Sequence, residues 1–131
     1  MRKTVMVADG NSKELEKATK ALEKGGFKVV SAKNGLECLQ KLHKGLKPSL
    51  IILDAGMPVM SGWRTLYELH KDKQFAKIKA VLFSDKESSP FPEPKNLPSY
   101  EKYAKELEAH YIPKPFTPEE IVRKVKKLMA S

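Results

Sequence analysis

A parallel β-sheet with helices on both faces is the fold class this sequence predicts. Three observations carry it. Short apolar runs alternate with amphipathic stretches of helical spacing, in the order βαβαβαβαβα. The run 49–53 (SLIIL) is apolar throughout, as expected of a strand covered on both faces. Asp9, Asp54 and Ser84 each stand just past an apolar run, at the carboxyl ends of the expected strands. In sheets of this kind, ligands bind at that edge, where the strand order reverses. The 131 residues fit one domain, 1–131, with five strands and five helices.

The elements follow in order. The run 4–8 (TVMVA) is the first strand, ended by the turn signal Asp9-Gly10-Asn11. Ser12 is expected to cap the first helix, whose Leu15, Ala18, Thr19 and Leu22 recur at helical spacing. Gly25-Gly26 stops it. Residues 27–32 form the second strand, and Asn34-Gly35 turns the chain into a helix marked by Leu36, Leu39 and Leu42. The strand 49–53 ends at Asp54. A third helix spans 62–71, with Trp63, Leu66, Tyr67 and His70 on one side. The fourth strand is 80–83. Next comes a proline-rich loop at 88–99, then a helix at 100–109. Tyr111-Ile112 is the fifth strand. Thr117 caps the last helix, with Pro118 at its first position and Glu119-Glu120 in its first turn.

Composition narrows the function. No apolar run approaches the roughly 18 residues a membrane helix requires, so no membrane role is expected. The apolar stretch near the N-terminus is too short for a signal peptide. A single cysteine, Cys38, excludes an internal disulfide and a cysteine-based metal site, and a reducing cytoplasm is the expected compartment. Cys38 itself reads as a small core residue. His43, His70 and His110 are far apart in sequence and read as surface or helix-face residues. No phosphate-binding glycine motif for nucleotides occurs. The net charge of +9 would suit nucleic acid. Its lysines recur without one dominant block, however, so they read as a solvated surface and nucleic acid is not expected as a partner.

The carboxyl edge carries the chemistry. Asp9 and Asp54 supply carboxylates, Ser84 a hydroxyl and Lys114 an ammonium. That set suits Mg²⁺ and phosphate, because Mg²⁺ takes one or two carboxylates and fills its remaining positions with water and phosphate oxygens. A carboxylate can attack phosphorus, and Lys114 and Ser84 could answer the phosphoryl charge. Asp9, Asp54 or Ser84 alone would more often cap a strand end or a helix start; four convergent positions on one edge favour a site.

Four stretches resemble the receiver domains of two-component response regulators: VMVADGNS (5–12), LIILDAGMPVMSGW (50–63), VLFSDK (81–86) and YIPKPFTPEE (111–120). The resemblance covers nearly the whole chain and implies a flavodoxin-like fold. By position it implies that Asp54 accepts a phosphoryl group from a phosphohistidine. Asp9, Asp54 and the Gly56 carbonyl would hold Mg²⁺. Ser84 and Lys114 would meet the phosphoryl oxygens, and Tyr111 would change rotamer with Ser84. The chain would be a phosphoacceptor that assists its own phosphoryl transfer and dephosphorylation rather than an enzyme. Its partners would be a sensor histidine kinase or phosphotransfer protein and an output protein at the Tyr100–Met129 face. The chain stops right after its last helix, so no output domain is expected.

Four departures stand beside the resemblance. Gly10 occupies the position of the family's second acid, which should weaken Mg²⁺ binding. Asp85 follows Ser84 where a small residue is usual. Gly56 lacks a side chain beside the acceptor. The 88–99 loop lengthens the connection after the fourth strand. Gly10 and Asp85 favour an alternative, a degenerate receiver acting as a phosphorylation-independent interaction module.

Overall fold

The computed structural model describes residues 2–85 and 111–130, with the backbone alone described for Ser84, Asp85, Tyr111, Pro113 and Lys114. The proline-rich loop expected at 88–99 and the helix expected at 100–109 lie outside the described residues.

The strands are β1 (Thr4–Ala8), β2 (Lys28–Ala32), β3 (Leu50–Asp54), β4 (Lys79–Asp85) and β5 (Tyr111–Lys114). They form one parallel sheet in the order β2-β1-β3-β4-β5, and the order reverses between β1 and β3. The helices are α1 (Ser12–Lys24), α2 (Gly35–His43), α3 (Gly62–Lys71) and α4 (Pro118–Ala130). The expected α/β fold class is thus the observed one.

Strand side chains alternate between faces, and the core divides accordingly. Val5, Val7, Leu50, Ile52, Val81 and Phe83 meet α1 and α4 through Ala18, Leu22, Ile121, Val125 and Leu128. Met6, Ala8, Ile51, Leu53 and Leu82 meet α2 and α3 through Cys38, Leu42, Trp63, Leu66 and Leu69. Both faces of the central strands are therefore dry, which explains the unbroken apolar run of β3. Cys38 is fully buried, its Sγ lies 3.2 Å from Met6 Sδ, and burial pushes its thiol up to about 12. Such a thiol stays protonated and inert.

Three local readings change. Asn11, not Ser12, caps α1: its Oδ1 accepts from the Lys13 and Glu14 N–H groups at 3.0 and 3.1 Å. Asparagine is as good a cap as serine, and the register of the turn decides between neighbours. Leu36 is 41% exposed, and the inward face of α2 is Gly35, Cys38 and Leu42. On α3, Leu69 is buried while Tyr67 is half-buried, with the Arg64 and Lys71 cations about its ring. The last helix begins as expected. Thr117 Oγ1 accepts from the Glu120 N–H at 3.1 Å, and the Thr117 N–H donates to Glu120 Oε1 at 3.1 Å, a reciprocal capping box.

Candidate functional site

The site lies at the carboxyl edge, over the reversal in strand order. Asp9 follows β1 and Asp54 ends β3, so the two carboxylates come from neighbouring strands, about 5 Å apart at the backbone. Asp54 pairs in register with Phe83, the residue before Ser84. Ser84 pairs with Pro113, and Asp85 with Lys114. The backbone register therefore gathers Asp9, Asp54, Ser84 and Lys114 at one edge, as the sequence predicts. Tyr111 pairs with Leu82, on β5 one strand away from Ser84.

Burial separates the roles of the two carboxylates. Asp9 is 1% exposed, and its Oδ1 accepts the Asn11 N–H at 2.9 Å. Its own N–H donates to the Ala32 carbonyl at 3.0 Å, which fixes the turn leaving β1. Asp54 is half-buried, more exposed than Asp9. Asp9 is thus the fixed carboxylate, and Asp54 the more exposed one.

The loop after Asp54 is held at both ends. The Ala55 N–H donates to the Phe83 carbonyl at 2.9 Å, and the Gly62 N–H donates to the Ala55 carbonyl at 3.1 Å. Met57 is buried in the core on the α2–α3 side, and the Met60 carbonyl accepts the Gly35 N–H at 3.2 Å. Gly56 is exposed, and a Cβ there would meet nothing within 4 Å. The ledge beside Asp54 is accordingly open to solvent, and the Gly56 carbonyl belongs to backbone that the neighbouring hydrogen bonds hold in place.

At Gly10 a second loop closes in. A Cβ on Gly10 would stand 2.6 Å from Pro58 Cδ, so the pyrrolidine ring lies where a side chain would begin. The ring is tied to the backbone and cannot swing aside. Glycine at this position therefore removes a carboxylate and also lets the 55–61 loop settle over the end of β1. Gly10→Asp should lower the melting temperature, and adding Pro58→Ala should restore most of the loss. Thermal unfolding of the two variants checks this; Mg²⁺ titration should show tighter binding in the double variant.

Val59 is the feature that the sequence did not signal. Its φ is 67°, in the left-handed region, and it is 76% exposed. The Met60 N–H donates to the Pro58 carbonyl at 2.6 Å, closing a tight turn around it. A β-branched residue at positive φ is strained by about 1–3 kcal/mol, and valine itself gives no hint of such a turn. Val59→Gly should raise stability by about 1 kcal/mol, net of glycine's extra chain entropy, or about 4 °C in melting temperature. A calorimetric scan reads this directly.

Among the described residues no cluster of three His, Cys, Asp or Glu side chains forms a metal site. Two carboxylates and a carbonyl are nonetheless a fitting donor set for Mg²⁺, which keeps several waters.

The described residues thus form a doubly wound sheet with two carboxylates at its switch point, one buried and one half-buried. Comparison with known proteins identifies the family: residues 5–126 match the response regulator receiver domain, and the chain belongs to that family. The chain is 30% identical over 130 residues to PhoP of Bacillus subtilis, an alkaline phosphatase synthesis transcriptional regulatory protein. That match covers 98% of this chain and 49% of PhoP. It is 29% identical over 83 residues to PilH of Pseudomonas aeruginosa, covering 63% of this chain and 68% of PilH. Among solved structures it superposes on a response regulator from Chloroflexus aurantiacus with a TM-score of 0.81 at 23% identity, covering 100% of both chains. CheY4 of Vibrio cholerae gives 0.76 at 22% identity, covering 98% and 99%. These two likenesses speak for the fold. No described helix is long and apolar enough to cross a membrane.

Proposed function

We propose that this receiver is a phosphorylation-driven switch of two-component signalling, with Asp54 as the phosphoacceptor. The observation that carries the reading is the pairing of a buried Asp9 with a half-buried Asp54 at the strand-order reversal. The donor is a phosphohistidine on a sensor kinase or phosphotransfer protein. A carboxylate oxygen of Asp54 attacks phosphorus, the P–N bond breaks, and the imidazole nitrogen keeps the electron pair and takes a proton from water. Asp9, Asp54 and the Gly56 carbonyl would hold Mg²⁺, which when bound offsets charge on the phosphoryl oxygens. Lys114 and Ser84 follow on the next strands as an ammonium and a hydroxyl donor for those oxygens. Ser84 moving toward the phosphoryl group would let Tyr111 turn inward. The output protein meets the Tyr100–Met129 face, to which α4 belongs. The chain acts as a phosphoacceptor in the cytoplasm, assisting its own phosphorylation and dephosphorylation rather than turning over a substrate.

Incubation with Mg²⁺ and acetyl phosphate, followed by intact mass, tests the proposal. One added phosphoryl group, absent when Mg²⁺ is chelated beforehand, is the expected result. A second reading, a phosphorylation-independent interaction module, is favoured by the close approach of Pro58 to Gly10. Absence of both phosphoryl uptake and an NMR response to beryllofluoride at saturating Mg²⁺ would select it.

A further inference from the structure

The edge opposite the site gathers twelve of the chain's 25 Lys and Arg residues. In a parallel sheet every helix-to-strand connection returns to the amino edge, so residues distant in sequence collect there. Among the described residues this edge is made of spans 2–3, 23–28, 43–49, 71–79 and 126–130. They contain twelve Lys or Arg and only two acids, Glu23 and Asp72. All twelve cations are exposed. Two shallow grooves run into each other here: one is lined by Arg2, Lys3 and Lys126, the other by Lys3, Lys77 and Lys79, and they share Lys3 and Met129.

Complementing helix dipoles accounts for only part of this. Lys24, Lys71 and Lys127 sit in last helical turns, where a cation is favoured. Arg2, Lys3, Lys47, Lys77 and Lys79 instead precede or begin strands. Lys79 alone among these also donates to a helix end, the Leu128 carbonyl, at 2.7 Å.

We propose that this amino edge binds the phosphate backbone of duplex nucleic acid without reading its sequence. Five strands at about 4.8 Å span about 19 Å, a length of duplex bearing about eleven phosphate charges at one per 1.7 Å. About half of these face one side of the duplex, and the excess of ten cations is ample to meet them. The large exposed apolar side chains of the described residues, Leu36 and Val59, both lie at the site edge. Among the described residues the basic edge therefore presents no fully exposed large apolar side chain of the kind by which a bilayer or a protein hot spot is gripped; Phe27, Ile78 and Met129 only line its grooves. It also presents helix carboxyl ends rather than a helix that could enter the major groove, which leaves phosphates as the target and gives no base recognition.

The test is fluorescence anisotropy of the full chain with a labelled duplex of arbitrary sequence, across a salt series. Six or more phosphate contacts predict a loss of about 10³-fold in affinity between 50 and 200 mM salt, the same for unrelated sequences. Lys3→Glu with Lys77→Glu should reduce the salt slope by about 2. Lys13→Glu with Lys33→Glu, an equal charge change at the site edge, should leave it near the parent value. Asp54→Asn should bind like the parent, so the outcome is independent of the phosphorylation proposal. Shallow salt dependence, equal effects of the two charge-reversed pairs, or tighter binding to phosphatidylserine vesicles or polyglutamate than to duplex would overturn the proposal.

Discussion

Asp54→Asn should abolish phosphoryl uptake from acetyl phosphate and from a kinase while leaving the fold intact. The carboxamide is nearly isosteric with the carboxylate but is a poor nucleophile, so chemistry is lost without a packing change. The position is half-buried, and the loop that follows is fixed by backbone bonds from Ala55 and Gly62 that the substitution does not touch. Circular dichroism should match the parent, while intact mass should show no phosphoryl adduct. Persistent labelling of the variant would move the acceptor elsewhere. The nearby carboxylate of Asp9 is a poor substitute, being 1% exposed with Oδ1 engaged by the Asn11 N–H.

Gly62→Ala should cost about 3 kcal/mol, although helix propensity argues the other way. Gly62 opens α3, and alanine in a helix interior is favoured over glycine by up to about 1 kcal/mol. A Cβ on Gly62, however, would collide with the backbone carbonyl of Asp54. A carbonyl at the end of a central strand cannot yield as a flexible side chain can, so overpacking dominates. Urea denaturation should show the midpoint falling. The displaced carbonyl belongs to Asp54, the proposed acceptor, so phosphorylation should slow in the same variant. A midpoint equal to or above the parent's would mean that the β3–α3 approach relaxes freely.

The sequence made the sheet legible because its strands are short apolar runs with an acid or a turn at their ends. β1, β3 and β4 needed no more than that, and the same punctuation located Asp9, Asp54 and Ser84. The cap of α1 was one residue out because Asn11 and Ser12 are both competent, and only the hydrogen-bond register separates them. Leu36 looks inward at a spacing of three from Leu39, yet it lies on the rim of α2, because three residues fall short of a 3.6-residue turn and positions 36, 39 and 42 rotate by about 60° a step. The meeting of Gly10 with Pro58 and the concentration of lysines at the amino edge were out of reach for another reason. Both join segments far apart in the chain, and no local pattern records which loops a sheet brings together.

Helix α4 is fastened to β4 at two points. Phe116, just before the helix, stacks on Phe83 with ring centroids 5.1 Å apart, and Lys79 Nζ donates to the Leu128 carbonyl near the helix end. Between them Ile121, Val125 and Leu128 face inward. None of these attachments uses the outward residues Arg123 and Lys127. Those positions are thereby released from structural duty, and exposed substitutions of this kind typically change stability by no more than about 0.5 kcal/mol. Over evolutionary time such a face can be rewritten residue by residue while the framework beneath it stays constant. Duplicated copies of the chain could in this way diverge in what they recognise without first having to solve the folding problem again.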